Sequence, residues 1–211
     1  MSTASDARFW DRSSRRYARS RISDQAGYER TLEQVRALLK PGDTVLELGC
    51  GTGTTALRLA DGVGSYLATD ISSGMIAIAE EKRTAGPVPG LAFRAATAEA
   101  VASEGARFDA VLAFNYLHLV RDLGGTLRSI HALLAPGGLF VSKTPSLGDM
   151  NPLIRLVLPL MQMIGKAPYA GIFSAQDLSA RIAAAGFEVL SVERHASKGK
   201  DSRPFIVARR K

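Results

Sequence analysis

Residues 45–53 read VLELGCGTG, a short aliphatic run that ends in glycines at 49, 51 and 53. Glycines at this spacing let a backbone come close to a ligand and point amide N–H groups at it. Gly51, Gly53 and Ala56 satisfy the dinucleotide pattern G-x-G-x-x-A, and Asp70 stands close to the acid expected about 20 residues on. Glu47 argues against a diphosphate in that turn. Two like unit charges ~4 Å apart oppose each other by roughly 4 kcal/mol at an effective dielectric near 20. A carboxylate at the tip of the first strand therefore favours a cationic ligand, and the Asp70 carboxylate suits a pair of ribose hydroxyls.

Other residues capable of chemistry are few. His118 follows a strand end, where a neutral imidazole would be placed to take a proton from an acceptor. Cys50, the single cysteine, has no basic neighbour in sequence and no Cys/His cluster, so it reads as a small filler, with no metal site and no internal disulfide expected. His131, on a surface helix, and His195, near a basic tail, are expected to be solvated. Lys143 is expected to point to solvent or to steer an anionic acceptor.

These residues need a frame, and the chain supplies a strand–helix alternation. Strands are expected at 44–48, 66–69, 91–94, 108–114, 139–142, 187–192 and 204–208, and helices at 28–39, 56–59, 72–82, 123–134 and 174–185. The near-continuous apolar run FDAVLAF (108–114) predicts a central strand covered on both faces. Ser174 and Asp177 have capping-box spacing, and Pro136-Gly137-Gly138 marks a turn between a helix and a strand. The first eight residues read as frayed. The pattern predicts an α/β, Rossmann-like, doubly wound, seven-stranded and mostly parallel sheet whose last strand is antiparallel. Glu47, Asp70, Asn115 and Lys143 should then gather beyond the carboxyl ends of the strands, where open sheets of this kind bind ligands.

Taken together, VLELGCGTG, the acid in ATDIS, FDAVLAFNYLHLV and LLAPGGLF resemble the class I S-adenosylmethionine-dependent methyltransferases over roughly residues 28–208. The resemblance implies S-adenosylmethionine as methyl donor and S-adenosylhomocysteine as product. It implies that Glu47, Gly49, Gly51 and Gly53 line the methionine end and that Asp70 holds the ribose. Ile71 and Met75 would lie near the adenine, Phe114 and Asn115 would border the transferred methyl, and Tyr17 would close over the cofactor. Thr97 stands where these enzymes usually carry an acid for the adenine amine, so that contact falls to Thr97, Ala98 or Glu99 of the ATAE segment. The Asn/Asp-Pro-Pro-Tyr/Phe sequence of amino-methylating relatives is missing, and Asn115-Tyr116-Leu117-His118 takes its place. This points to the small-molecule and quinone-type branch, with a small apolar acceptor and in-line displacement at the methyl.

The chain has 211 residues, a length suited to one domain, here 1–211, with an N-terminal cap segment at 1–27 and an apolar lid-like insertion at 146–173. A net charge of +7 concentrates at the ends: residues 1–40 carry nine Lys/Arg against five Asp/Glu, and residues 194–211 carry seven against one. Basic ends on a near-neutral body are mostly solvated surface, which leaves a nucleic-acid methyltransferase, or a cofactor-binding protein without catalysis, as the competing functions. Residues 147–173 are a candidate lipid or dimer contact. With no transmembrane run and no leader-like stretch, a cytoplasmic enzyme is expected.

Overall fold

The computed structural model describes residues 3–197, 199 and 202–211. Seven strands form one sheet: β1 (Thr44–Leu48), β2 (Ser65–Asp70), β3 (Leu91–Ala95), β4 (Phe108–Phe114), β5 (Leu134–Lys143), β6 (Phe187–Glu193) and β7 (Phe205–Arg210). Their order is β3-β2-β1-β4-β5-β7-β6, with parallel pairs as far as β5 and β7 antiparallel to both its neighbours. The order reverses between β1 and β4, and this is where the carboxyl ends of parallel strands open a crevice.

Strand periodicity decides which face each site residue reaches. Along β1, Val45 packs with Leu32, Val35, Tyr66 and Leu112 on one face of the sheet, while Leu46 and Leu48 pack with Val111, Leu127 and Phe140 on the other. Side chains alternate with a period of two, so Glu47 shares the face of Val45, beneath α2 (Gln25–Leu38). The remaining helices are α1 (Thr3–Ala18), α3 (Ala56–Leu59), α4 (Ser73–Ala85), α5 (Ala98–Ser103), α6 (Leu123–Leu133), α7 (Leu153–Met163) and α8 (Ala175–Ala184).

Helix starts follow their caps. Asp24 accepts from Gly27 N, Ser72 from Met75 N and Thr97 from Ala100 N. Ser174 and Asp177 form the expected reciprocal capping box.

Two expectations about the elements need correction. The N-terminal residues are helical from Thr3 onward, because Asp11 ties α1 to the start of α4: its Oδ1 accepts from Ser72 Oγ at 2.7 Å and from Gly74 N at 2.9 Å. The fifth strand starts at Leu134, not at 139, since Leu134 already pairs with Phe108 and the Pro136-Gly137-Gly138 stretch is accommodated as an irregularity before Leu139 pairs with Ala110.

Candidate functional site

The glycine turn after β1 is held by main-chain and carboxylate contacts. Gly49, Gly51 and Gly53 have φ of 68°, 54° and 74°, a region that L side chains adopt only with strain. Cys50 N donates to Thr69 O at 2.9 Å, and Gly51 N donates to Asp70 Oδ2 at 2.9 Å. The other oxygen of Asp70 accepts from Ser72 N at 2.9 Å. Burial raises the Asp70 carboxyl above its ordinary value, and the amide bonds from Ser72 and Gly51 oppose that rise.

A cavity of about 840 Å³ opens beside this turn. Of the residues singled out in the sequence, Tyr17, Gly49, Gly51, Asp70, Ile71, Met75, Thr97, Glu99, Phe114, Asn115 and His118 line it. A second cavity, of about 310 Å³, also borders the turn and is lined by Glu47 and Lys143 among others. Tyr17, Gly49, Gly51, Phe114, Asn115 and Arg203 border both spaces, so the turn stands at their junction.

Glu47 is only 2% exposed, and its Oε2 accepts a 2.8 Å hydrogen bond from Tyr66 Oη. Burial pushes its carboxyl up to about 7, against the pull of the Tyr66 hydroxyl and with a further push from Asp70. At neutral pH it is poised between its two forms, and a cation in the smaller cavity would tip it to the carboxylate.

Two of the expected residues face elsewhere. A Cβ on Gly53 would lie 2.6 Å from Phe93 Cζ and 2.9 Å from Ala79 Cβ, so this glycine packs the turn against α4 and β3. Ala98 is fully buried in the core beneath α5. Thr97 Oγ1 caps α5, and Glu99 Oε1 accepts from Thr126 Oγ1 at 2.8 Å, so both side chains already have partners at the cavity wall.

Asn115 is the sole non-glycine residue with positive φ (51°) among the described residues. Asn is one of the few residues that tolerate this conformation, and its N–H donates to Lys143 O at 2.7 Å, fixing the sharp exit from β4 into the cavity wall. His118 follows on a short 3-10 turn, with Nδ1 2.9 Å from Thr144 Oγ1. Burial depresses its pKa to about 4, so the ring is neutral at physiological pH.

The expectations for His195 and Lys143 are corrected. His195 is 2% exposed, not solvated, and its ring stacks at 4.4 Å on Phe205. Its Nδ1 lies 3.0 Å from Thr31 Oγ1, which also accepts from Lys143 Nζ at 2.8 Å and donates to Gly27 O. With the Thr31 proton committed to Gly27, His195 Nδ1 must be the donor. The segment after β6 folds back over α2, where Arg30 Nη1 reaches His195 O and Ser197 reaches Asp24, and this draws both residues inward. His131 is half-buried and packs edge-on against Phe187 at 5.3 Å. Cys50 is buried, and burial raises its thiol well above the ordinary value, in keeping with a filler.

The cavity is also lined by residues that the sequence does not assign to the site, among them Asp6, Trp10, Tyr116, Arg121 and Tyr169. Trp10 packs edge-on against Phe9 and Tyr17. Tyr116 covers Gly49 so closely that a Cβ there would lie 2.6 Å from its ring. Arg121 forms a bidentate pair with Asp6 at 2.7 and 2.8 Å and stacks over Tyr169, linking α1 to the 146–173 insertion. The arginine spacing of α1 hid its inward aromatic positions.

Sheet order, the antiparallel β7 and a ligand-sized crevice at the β1/β4 reversal define the architecture of class I methyltransferases. The chain belongs to the methyltransferase-domain family, whose model matches residues 15–192. It is 36% identical over 103 residues to a ubiquinone biosynthesis O-methyltransferase of Methylocella silvestris, a match covering 49% of this chain and 40% of that protein. It is 30% identical over 169 residues to the mitochondrial arginine-hydroxylase NDUFAF5 of Danio rerio, covering 78% of this chain and 51% of that protein. The chain thus spans about half, or less, of the length of these relatives. Its fold is similar to that of the magnesium protoporphyrin IX methyltransferase of Synechocystis PCC 6803 with bound S-adenosylmethionine, with a TM-score of 0.72, 16% identity, and coverage of 98% and 97% of the two chains. No helix among the described residues is long and apolar enough to cross a membrane.

Proposed function

We propose that the chain binds S-adenosylmethionine across the glycine turn and transfers its methyl group to a small, apolar acceptor held in the larger cavity. The observation that carries this reading is that Asp70 and Glu47 line two different cavities that share one turn. Asp70 faces the larger cavity with its carboxylate already oriented by two amides, and Glu47 lines the smaller one. A ligand with ribose hydroxyls at one end and an ammonium at the other matches that pair, whereas a diphosphate in the turn would meet a buried carboxylate.

The donor supplies an activated methyl on a sulfonium. The chain's own part is alignment and exclusion of water. Asp70 accepts from the ribose, Glu47 pairs with the ammonium, and Tyr116 keeps Gly49 bare so that the backbone stays within reach of the ligand. Phe114 and Asn115 hold the junction between the two spaces, and Trp10 and Tyr17, with Leu158, Pro168 and Tyr169 of the insertion, close the larger one. Reacting atoms held roughly 3–3.5 Å apart are enough to drive an in-line displacement without a strong base. The proton released by the acceptor passes to His118, whose Nδ1 is engaged by Thr144 and whose Nε2 is the nitrogen left to take it.

The 30% identical relative is named for hydroxylation, which favours a second reading in which the donor site is kept and other chemistry is performed. A screen of quinols, phenols, amines and lipids for production of S-adenosylhomocysteine separates the two. Acceptor-dependent product from a phenol or quinol is the expected result, and tight donor binding with no product from any class would favour the second reading.

A further inference from the structure

The helices α1 and α7 carry matching stripes that the proposed reaction does not use. On α7 and its first following residue, Leu153, Val157, Leu160, Met161 and Ile164 follow the spacing i, i+4, i+7, i+8, i+11, and all are 38% to 63% exposed. On α1 and its first following residue, Arg8, Arg12, Arg15, Arg16 and Arg19 follow the same spacing and are all exposed. Each stripe is therefore one continuous helix face.

The opposite faces of both helices line the larger cavity, through Trp10 and Tyr17 on α1 and Leu158 on α7. The Asp6–Arg121 pair, with Arg121 over the Tyr169 ring, ties one to the segment that carries the other. The two helices are thus the lips of one opening, one arginine-faced and one aliphatic-faced.

Charge decides what fits such a surface. Residues 150–176 contain no Asp or Glu, and their only cations are Arg155 and Lys166. We propose that the two stripes form a docking surface for an anionic lipid bilayer, with α7 lying in the boundary between headgroups and acyl chains and the α1 arginines on the phosphates. An 11-residue helix is too short to span a bilayer but suits a position in the interface plane. A second copy fits less well, because in a two-fold contact through this face the arginines would meet either more arginines or an α7 segment with no acidic residue. Single-stranded RNA would meet the arginines but find no aromatic side chain on the α7 stripe to stack a base. The surface stands whatever reaction the cavity performs.

Flotation of the full chain with vesicles tests this, using phosphatidylcholine alone and phosphatidylcholine mixed with phosphatidylglycerol. The chain should float with the anionic vesicles in low salt and be released as salt rises. Val157→Ser/Leu160→Ser/Met161→Ser and Arg8→Gln/Arg12→Gln/Arg16→Gln should each lower partitioning at least about tenfold. Because these side chains are exposed, S-adenosylhomocysteine affinity and thermal midpoint should stay as in the parent, which separates loss of docking from loss of the donor site. Failure of the parent to float, or equal flotation of both variants, overturns the proposal. So does a solution dimer dissolved by the α7 variant without vesicle binding, or RNA binding abolished by the arginine variant without vesicle binding.

Discussion

The carboxylate of Asp70 and the backbone N–H of Gly51 meet at 2.9 Å, so the acid that ends β2 also fixes the turn that ends β1. One side chain orients the glycine backbone and presents its remaining lone pairs to the larger cavity. Asp70→Ala should weaken S-adenosylmethionine binding by about 1–3 kcal/mol, the range for losing hydrogen bonds to a charged group. Calorimetry checks this, with Asp70→Asn as a partner variant that retains one acceptor oxygen. Unchanged affinity in both would remove Asp70 from the ribose site.

The Glu47 carboxyl, pushed up to about 7 by burial, makes donor binding pH-dependent. A cation binds the carboxylate form, so below pH 7 the free protein must first give up a proton. Affinity for S-adenosylhomocysteine is expected to fall by up to about tenfold per unit as pH drops below 7, until the lowered pKa of the bound state is reached. Glu47→Gln should bind more weakly above pH 7 and lose this acid limb. A parent affinity that is flat from pH 8 to pH 6 would contradict the pairing of Glu47 with the ammonium.

Gly51 and Gly53 should respond differently to the same substitution. Both have positive φ, but a Cβ on Gly51 would find its nearest atom, Tyr17 Cε1, at 3.7 Å, whereas on Gly53 it would collide with Phe93 and Ala79. Gly51→Ala should cost about 1–2 kcal/mol of stability from backbone strain. Gly53→Ala should add roughly 1–3 kcal/mol from overpacking. Urea unfolding of the two variants measures the difference, and equal midpoints would mean that the packing role assigned to Gly53 is wrong.

His118 is neutral throughout the physiological range, with a pKa held near 4 by burial. The rate should therefore show no inflection near pH 6.5 from this residue. His118→Ala should lower kcat by about a hundredfold or more if the ring takes the acceptor's proton, while KM for the donor stays the same. A kcat within a few fold of the parent would reduce His118 to a wall residue.

Sequence made the frame legible because its signals are local and repeated. The FDAVLAF run marks a strand covered on both faces, and the glycine spacing after VLEL marks the turn at the sheet's reversal point. Long-range packing was harder to read. The basic residues that follow His195 suggest solvent, yet Arg30 and Thr31 of α2 and Phe205 of β7 come from two distant segments to enclose it. Arg121 is hard to read for the same reason, since its ion pair with Asp6 joins residues 115 positions apart, whereas the ring contacts of Trp10 with Phe9 and Tyr17 are local and are masked by the arginines spaced along α1. Spacing alone groups Gly53 with its neighbours, and only the positions of Phe93 and Ala79 separate a packing glycine from a ligand-facing one.

Calorimetric titration of the chain with S-adenosylmethionine, S-adenosylhomocysteine and NAD bears most directly on the claim that a buried carboxylate beside the turn selects an aminoacyl nucleoside over a dinucleotide. Saturable binding of both adenosyl ligands, much tighter than any response to NAD, is the predicted result. NAD binding as tight as either would contradict it.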